Sequence, residues 1–491
     1  MSDNPLVLRQ RVYTLADQHW FAELSGDFNP IHVDSVQARR EFFGDIVVHG
    51  LHEVLSALDA YAAQLRSRGV SAIFINLLHV KFSGCLYLEH RAEFQLERES
   101  DDLVLLKVLD GEQVLAEIKL SLNSSHQPDR HTPSTQWETP PQKPSPPVEQ
   151  TWSEIITRHG SIPLGLSSSL AASLFPDLTA ILSTEVLAEL LALTRLVGME
   201  CPGRHSLYSS FVIERHKPVE QASPPCLMYQ TIFSDSRFSL IRLQVKGPSL
   251  AGIVEAFVRP SPVPQVAFSD VEKQISPDEF RCQTALVVGG SRGLGEVTAK
   301  IIAAGGGFPI ITYHQGAEDA ARVVAEIAAS GKRCVAFHCD SSQPEVLFAE
   351  LDQRNLIPTH VYYFASPKIF VKKGVLYSPS LFQQFAAAYV EGVFKLYRAC
   401  RARQAGRLRL FYPSTTAIDD PVKDLAEYAA AKAAGETLCH YLVNQDRQLS
   451  VLIKRLPRLM TDQTVTLVPF PASPPFDILL DLIRAMNGTV A

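Results

Sequence analysis

The sequence is poor in the features that build disulfide scaffolds, membrane spans and nucleic-acid surfaces. Only 8 of the 491 residues are cysteines, and none stands in a CxxC pair, so we expect free thiols and no metal site. No apolar run approaches the roughly 18 residues of a membrane span, and the first residues do not resemble a signal peptide. The formal net charge of −6 gives no reason to expect a nucleic acid or an anionic membrane as partner. We therefore predict a cytoplasmic protein.

The composition is that of a folded chain with several cores. Hydrophobic residues make up 46% and charged residues 20%, and a chain of this length exceeds one ordinary core. Residues 124–150 are rich in Pro, Ser, Thr and Gln and have almost no apolar periodicity, which predicts an extended linker. The segment PSPVPQ at 260–265 marks a second break. We predict three folded domains, at residues 1–123, 151–260 and 275–491.

Two of these domains show the same order of elements. In the first, a long helix that closes at Gly69 is followed by several strand-like runs. The apolar residues at helical spacing in this helix are Leu51, Val54, Leu55, Leu58, Ala62 and Leu65. In the second, Ser183 and Thr184 can cap a helix that ends at Gly198, and four strand-like runs follow. One helix followed by antiparallel strands predicts a sheet wrapped around a helix, so we expect an α+β double hotdog.

The third domain alternates short apolar strands with helices. It opens with the strand TALVVGG and the helical segment SRGLGEVTAKIIAAGG, and the strands FPIITYH and RCVAFHCD follow. This alternation indicates a parallel sheet covered on both faces. We therefore predict a doubly wound α/β domain of the Rossmann type.

A first candidate site lies in the segment FAELSGDFNPIHVD at 21–34. A turn at Asn29-Pro30 can bring the side chains of Asp27 and His32 to one place. Reversible hydration of an enoyl thioester needs a base, an acid and a donor for the thioester oxygen. Gly50, at the start of the long helix, can offer a backbone N–H as that oxyanion donor. By itself, however, such an Asp/His pair is more often structural than catalytic.

The same segment, followed by FFGDIVVHG, resembles the MaoC-type (R)-specific enoyl hydratases over most of the first domain. The resemblance implies that Asp27 and His32 form the catalytic dyad. The middle domain contains PGRHSLYSSF, which resembles hotdog dehydratase-like segments, but it has no Asp/His pair before its helix. His205 is therefore interpreted as structural or pocket-lining. Known double-hotdog hydratases likewise pair one active half with one degenerate half.

A second candidate site begins with LVVGGSRGLG, in which Gly289, Gly293 and Gly295 allow a strand-to-helix turn against a pyrophosphate. A glycine pattern alone is weak evidence, but this one follows a buried-type strand and opens a helix. The strand FPIITY ends without the carboxylate typical of NAD sites, and Arg292 can reach a 2′-phosphate. We therefore predict NADPH as cofactor, with Asp340 near the adenine.

Downstream, Tyr428 and Lys432 stand four residues apart in YAAAK, on one face of a helix. The ammonium can lower the pKa of the phenol, and the tyrosine can donate a proton to a carbonyl during reduction. Together with the glycine turn, this pattern resembles the short-chain dehydrogenase/reductase family, especially the ketoacyl reductases. The cofactor contacts that the resemblance implies are Gly289, Ser291, Arg292, Gly293, Leu294, Gly295, Asp340, Ala365, Tyr428, Lys432 and Thr461.

Two departures from that family affect the site. At the place of the family's serine the chain has Thr415, with Ser414 one residue earlier, and either hydroxyl can bind the substrate carbonyl. The usual NNAG turn is replaced by YFAS at 363–366, and Tyr389 stands where an asparagine normally supports a proton relay.

The two sites together predict a bifunctional enzyme of fatty-acid or polyketide-type biosynthesis. A 3-ketoacyl reductase step would precede dehydration of the 3-hydroxyacyl thioester, on coenzyme A or an acyl carrier protein. Two alternatives remain open from the sequence. One is the reverse, β-oxidation-type pairing, and the other is a hydratase joined to a reductase-like lobe without catalysis. The second resemblance also implies a possible homodimer through the reductase domain.

Overall fold

The computed structural model describes residues 5–41, 43–100, 103–125, 138–216, 225–341, 343–369, 376–404, 406–464 and 472–488. The described chain forms two compact units that divide between Ser261 and Pro262. This division falls inside the proline-rich segment 260–265. Each unit has its own sheet and its own buried hydrophobic clusters. No described helix has the length and apolar character needed to cross a membrane.

The first unit contains one antiparallel sheet of ten strands. Its strands are β1 (Leu6–Val12), β2 (Ala72–Phe82), β3 (Arg91–Glu99), β4 (Val104–Asp110), β5 (Gln113–Ser125), β6 (His159–Pro163), β7 (Ser206–Arg215), β8 (Cys226–Asp235), β9 (Leu240–Lys246) and β10 (Leu250–Val258). Strand β5 therefore runs to the second residue of the predicted linker. The remaining described part of that segment, 138–150, has no helix or strand.

The helices of this unit are mostly short. They are α1 (Leu15–Ser25), α2 (Pro30–Val33), α3 (Ser35–Arg40), α4 (Gly50–Ser67), α5 (Trp152–Ile155), α6 (Ser168–Leu174), α7 (Pro176–Thr179) and α8 (Thr184–Arg195). The long helix α4 has the apolar face that the sequence predicts, with Leu51, Val54 and Leu55 wholly buried. It packs on β1, β3 and β4, whereas α8 packs on β6 and β10.

The strand order repeats within the sheet. From one edge it runs β1-β3-β4-β5-β2, and from the other edge β6-β8-β9-β10-β7, so each half has its own first, third, fourth, fifth and second strand in that order. The halves join where β2 pairs antiparallel with β7, in the register Val80 to Phe211. Each half thus pairs its sheet with one long helix, as the two predicted helix-and-strand domains require.

The end of α8 differs from the prediction. The Ser183 side chain accepts a hydrogen bond from the backbone N–H of Val186, as expected of a cap. The α-helix, however, ends at Arg195 and continues as a π-helical turn, Leu196–Glu200. Gly198 therefore lies inside this turn and does not end the helix. Its lack of a side chain has another use, because the carboxylate of Asp27 lies directly against it.

The second unit contains a parallel sheet of six strands in the order β13-β12-β11-β14-β15-β16. The strands are β11 (Thr284–Val288), β12 (Phe308–Tyr313), β13 (Val335–His338), β14 (His360–Tyr363), β15 (Leu408–Thr415) and β16 (Leu449–Leu456). The helices are α9 (Phe268–Glu272), α10 (Gly293–Ala304), α11 (Ala317–Ala329), α12 (Glu345–Gln353), α13 (Pro379–Ala386), α14 (Val393–Arg403), α15 (Ala426–Gln445) and α16 (Pro475–Asn487). This is the strand order of a Rossmann-type sheet, as predicted.

Both faces of this sheet are covered. Along β11, Ala285 and Val287 belong to one buried cluster that includes α10 and α16, while Leu286 and Val288 belong to another that includes α12 and α14. Successive strand residues point to opposite faces, so an unbroken apolar run here requires helices on both sides. The carboxyl ends of the strands then share one edge, and the glycine turn follows β11 at this edge.

Candidate active sites

The first site is organised by the loop between α1 and α2. Helix α1 ends at Gly26, whose φ of 79° is readily adopted by glycine. Asp27 follows and is buried, with 2% of its surface exposed. The Asn29 side chain then accepts from the N–H of Ile31 and caps α2, and Pro30 occupies the first helical position. The local turn chemistry thus directs the Asp27 side chain inward.

The carboxylate of Asp27 contacts the second half of the unit. The Thr194 hydroxyl donates to Asp27 Oδ2 at 2.7 Å, and the backbone N–H of Asn29 donates to Oδ1 at 3.2 Å. The Asn29 amide donates to the carbonyl of Gly198 at 2.9 Å. A methyl group on Gly198 would collide with the Asp27 carboxylate. The far end of α8 therefore completes the surroundings of this acid.

His32 lies beside Asp27 and is joined by a second histidine. One side-chain N or O atom each of Asp27, His32 and His49 lies within 4.8 Å of the others, and the two imidazole rings stack with centroids 3.9 Å apart. His32 Nδ1 lies 2.7 Å from the carbonyl of Val47. Because a carbonyl only accepts, Nδ1 carries the hydrogen and Nε2 keeps its lone pair. By the same reasoning, His49 Nε2 donates to the Asp27 carbonyl at 2.9 Å.

Burial reverses the usual order of the two pKa values, so that the pKa of Asp27 lies above that of His32. It raises the pKa of Asp27 to about 6, although the hydrogen bonds from Thr194 and Asn29 act in the opposite direction. Burial lowers the pKa of His32 to about 4, partly opposed by its bond to Val47. At neutral pH the site therefore holds a carboxylate and a neutral imidazole, both able to accept a proton.

Gly50 begins α4 next to this pair, after His49. The first N–H groups of a helix have no partner within the helix, and the helix dipole makes them good donors to an anion. The Phe82 ring packs against Gly50, since a methyl group there would lie 2.9 Å from a ring carbon. The predicted oxyanion donor is thus at a helix N-terminus, close in sequence to His49.

The second site begins at the turn between β11 and α10. Gly289 and Gly293 have φ values of 79° and 57°, which disfavour a side chain. A methyl on Gly289 would lie 3.0 Å from the N of Ala365, and one on Gly295 would collide with the carbonyl oxygen of Gly289. Because only glycine fits at these positions, no side chain covers the turn, and the backbone N–H groups at the start of α10 can face a ligand. They fit a dinucleotide pyrophosphate.

Other predicted cofactor contacts lie around this turn. Arg292 occupies the N-cap position of α10 without a side-chain capping bond, and Thr461 lies beside the helix start, since a methyl on Gly293 would be 3.6 Å from Thr461 Cγ2. Ser291 is buried and Leu294 packs on one of the buried clusters. Asp340 follows β13, at the carboxyl edge of the sheet.

The structure separates the two candidate hydroxyls at the end of β15. Thr415 is close enough to the phenol of Tyr428 to lower its pKa, whereas Ser414 acts in the same way on the carboxylate of Glu436. Neighbouring strand residues point to opposite faces, so only one of the pair can face Tyr428. Burial raises the pKa of Tyr428 to about 12, opposed by Thr415, so the phenol holds its proton at neutral pH.

Lys432 lies one helical turn beyond Tyr428 but points into an aromatic enclosure. Its Nζ lies 3.9 Å from the ring centroid of Tyr389 and donates to the carbonyl of Pro413 at 2.7 Å. Burial lowers the pKa of Lys432 to about 7. The Tyr389 hydroxyl hydrogen bonds with Ser366 at 2.6 Å. The residue that replaces the family's asparagine thus covers the amine with its ring.

Family comparisons agree with the two folds. Residues 3–114 match the model of the MaoC like domain, and residues 283–354 match the model of the short chain dehydrogenase. The chain therefore carries a MaoC-like hotdog domain at its N-terminal end and a short-chain dehydrogenase domain toward its C-terminal end. The first is a hydro-lyase class and the second an oxidoreductase class, so the domain pair is that of a bifunctional enzyme. No curated protein matches the chain.

Several solved structures resemble part of the chain. A short chain dehydrogenase from Burkholderia cenocepacia in complex with NADP is 24% identical, and the match covers 43% of this chain and 92% of that one, with a TM-score of 0.38. The angucycline C-6 ketoreductase LanV with bound NADP is 19% identical over 43% and 90%, with a TM-score of 0.39. The oxidoreductase yciK from E. coli is 21% identical over 44% and 92%, with a TM-score of 0.40.

Several residues of the first site have no signal in the sequence. His49 precedes the predicted Gly50, and nothing in the sequence indicates that its side chain lies next to His32. Thr194 and Gly198 lie in a segment that predicts nothing beyond an amphipathic helix and its end. His205 directly precedes β7, with Nδ1 4.0 Å from the Glu41 carboxylate. Its interpretation as structural or pocket-lining stays a prediction.

Proposed function

We propose that the chain reduces a 3-ketoacyl thioester with NADPH and dehydrates the resulting 3-hydroxyacyl thioester to the 2-enoyl thioester. The observation that carries this proposal is the convergence of Asp27 and His32 at the start of α4, in a domain of the MaoC-like class. A hydratase site joined to a ketoreductase-type site suits consecutive steps on one substrate. The parent pathway is proposed to be fatty-acid or polyketide-type biosynthesis.

In the dehydratase site, each group has a separate task. One of the two bases, the Asp27 carboxylate or His32 Nε2, accepts the proton from C2, and the pair delivers that proton to the 3-hydroxyl, which leaves as water. The Gly50 N–H donates to the thioester oxygen as negative charge develops there. In the hydration direction the same groups act in reverse order. Because the pKa of Asp27 is about 6, the carboxylate form dominates at neutral pH.

In the reductase site, the chain's own groups bind and protonate the substrate carbonyl. Thr415 and Tyr428 hydrogen bond to its oxygen, and the Tyr428 phenol donates the proton. Lys432 orients the sugar next to the nicotinamide. Bound NADPH would supply the hydride. The choice of NADPH is supported by the absence of a carboxylate after β12 and by Arg292 at the cap of α10.

The domain arrangement is proposed as a double hotdog followed by a reductase domain. Residues 1–123 would form the active hotdog, 151–260 the degenerate one, 124–150 their linker, and 275–491 the reductase domain. The repeated strand order of the ten-stranded sheet and the two long helices α4 and α8 support this assignment. The first half supplies the dyad, and the second half supplies the groups that surround it.

The proposal is tested by incubating the full chain with NADPH and a 3-ketoacyl thioester and analysing the product by mass. Oxidation of NADPH with formation of the enoyl thioester is expected. Asp27→Asn should stop the reaction at the 3-hydroxyacyl thioester, and Tyr428→Phe should stop NADPH oxidation. Coenzyme A and acyl carrier protein thioesters are compared in parallel to identify the carrier. A hydroxyacyl product that the intact protein never dehydrates would contradict the proposed sequence of steps.

A second candidate is a hydratase whose reductase-like unit binds nucleotide without catalysis. The ring of Tyr389 over Lys432 favours it, because that ring excludes the water relay that an asparagine supports. Hydration of crotonyl-CoA without any NADPH oxidation would support this candidate. NADPH oxidation that disappears in Tyr428→Phe would eliminate it. A marked preference for NAD would instead favour the oxidative, β-oxidation-type direction.

We further propose a homodimer through the reductase unit. Helices α14 and α15 expose apolar side chains, among them Phe394, Tyr441 and Val443, with Tyr441 66% exposed. Sedimentation of the full chain should show a dimer, and Tyr441→Glu should weaken it.

A further inference from the structure

One buried phenol near the dehydratase site has no partner. Tyr208 lies on β7, opposite Ala256 of β10, and its hydroxyl is enclosed without a hydrogen bond to any described residue. Two other buried tyrosines satisfy their hydroxyls, Tyr61 with Glu99 and Tyr362 with Gln283. The Tyr13 hydroxyl is also enclosed without a hydrogen bond to a described residue, but Ser56 is close enough to lower its pKa. Buried polar groups in folded proteins are nearly always bonded. An enclosed phenol without a partner is therefore a donor that a bound molecule can satisfy.

The surroundings of Tyr208 are those of the proposed dehydratase site. Its ring packs on Phe82 with centroids 5.2 Å apart, and Phe82 packs in turn against Gly50. The charge of Asp27 also acts on the phenol. One phenylalanine thus joins Tyr208 to the proposed oxyanion donor, and the catalytic carboxylate is within electrostatic reach. All three features lie within the first unit.

We propose that Tyr208 is a further catalytic residue of the dehydratase, whose hydroxyl donates a hydrogen bond to the thioester carbonyl oxygen alongside the N–H of Gly50. The assignment rests on the proposed function of the Asp27–His32 site. No covalent bond to the phenol forms or breaks. The negative charge that develops on the carbonyl oxygen is shared between two donors, one from each half of the first unit.

The electrostatics of Tyr208 suit a donor that keeps its proton. Burial, with a smaller contribution from Asp27, raises the pKa of this phenol well above its usual value. The hydroxyl therefore stays protonated throughout the range in which Asp27 titrates. The same raised pKa would hinder a group that had to release its proton in each turnover.

The decisive test is Tyr208→Phe, which keeps the ring against Phe82 and removes only the hydroxyl. Hydration of crotonyl-CoA by the full chain is measured for both proteins. We expect kcat to fall by roughly 100-fold with little change in KM, as for loss of one oxyanion donor. The matched control is Tyr61→Phe, which removes a phenol hydroxyl bonded to Glu99 elsewhere in the unit, and its kcat should equal that of the unchanged protein.

A spectroscopic readout separates polarisation of the carbonyl from an effect on packing. In the Asp27→Asn background, bound 2,4-hexadienoyl-CoA should absorb at longer wavelength than the free thioester, because hydrogen bonds to its carbonyl polarise the conjugated system. Adding Tyr208→Phe should remove part of that shift. An unchanged shift, or an unchanged kcat in Tyr208→Phe, would overturn the assignment of Tyr208 alone. Failure of the unchanged protein to hydrate crotonyl-CoA would instead overturn the proposed hydratase, and this assignment with it.

Discussion

The two halves of the antiparallel unit repeat one order of elements but differ in the loop before their short helix. In the first half, Gly26–Asn29 separates α1 from α2 and presents Asp27 to α8. In the second half, only Phe175 separates α6 from α7. Both short helices begin with a proline at their first position. The repeat thus preserves the helix start and changes the residues that precede it.

The long helices differ in a corresponding way. Thr194 on α8 donates to the carboxylate of Asp27 in the other half. Asp59 on α4 accepts from the backbone N–H groups of Asp177 and Leu178 at the start of α7, at 2.8 and 2.9 Å, and pairs with Arg9. One contact orients a reactive group, and the other caps a helix. In the proposed function, the long helix of one half would therefore serve catalysis and that of the other would serve stability.

The largest effect is expected from Asp27→Asn, compared with Asp177→Asn in the other half. Loss of the Asp27 carboxylate should lower crotonyl-CoA hydration by roughly 1,000-fold, within the range that acid–base groups contribute. Asp177 forms partly exposed ion pairs with Arg9 and Arg66, so its variant should hydrate within about twofold of the unchanged protein. Equal losses in both variants would contradict the division of roles.

Gly198→Ala should have the next largest effect. The added methyl meets the Asp27 carboxylate, and a displacement of about 1 Å at a catalytic group can cost on the order of 100-fold in rate. Hydration is measured together with NADPH oxidation by the same sample, which serves as an internal control for folded protein. Hydration equal to that of the unchanged protein would place the carboxylate elsewhere during catalysis.

Thr194→Val should reduce hydration by about tenfold or less at neutral pH, the equivalent of one hydrogen bond. The Thr194 bond lowers the pKa of Asp27, which burial sets at about 6. Loss of the bond should raise this pKa, so the carboxylate form, and with it the rate, should be lost at a higher pH as the solution is acidified. The pH profile of kcat/KM measures the displacement.

Thr194→Ser is the matched control, because serine keeps the hydroxyl and loses only a methyl group. It should restore the original acid limb of the profile. A Thr194→Val profile that is lower but not displaced would mean that the threonine serves packing alone.

The smallest effect on activity is expected from Asp59→Asn. The amide keeps an acceptor oxygen for α7 but loses the charge that pairs with Arg9. Asp59 is buried, so the free energy of unfolding in urea should fall by about 1–3 kcal/mol. Hydration by the folded protein and its pH profile should not change. A displaced pH profile would show that α4 also influences the titration of the dyad.

Much of this arrangement was predictable from local sequence. The strands, the long helices and the glycine turn follow from periodicity and turn residues, and Asp27 and His32 belong to one continuous motif. Thr194 was not predictable, because it lies 167 residues beyond Asp27 and reaches it only through the pairing of the two halves. Gly198 was misassigned as a helix end because a close approach by a distant side chain leaves no trace in its own segment.

The reductase site shows the same limit at shorter range. The choice between Ser414 and Thr415 depends on which face of β15 meets α15. Adjacent strand residues point to opposite faces, and the sequence does not indicate which of the two faces the helix covers. The departure at Tyr389 was visible, but its consequence was not. The stacking of its ring over Lys432 arises from the packing of the π-helical turn Ala387–Gly392 against α15.

The pairing of β2 with β7 within one chain also affects how the two halves can change in evolution. Two identical chains that paired in this way would be related by a twofold axis, and every substitution would occur on both sides of the interface. A single chain is released from that symmetry. One side can lose its acid and shorten its loop while the other keeps both, and the loss on the first side need not disable the second. Because both halves belong to one chain, one half can keep the acid while the other provides only surrounding contacts.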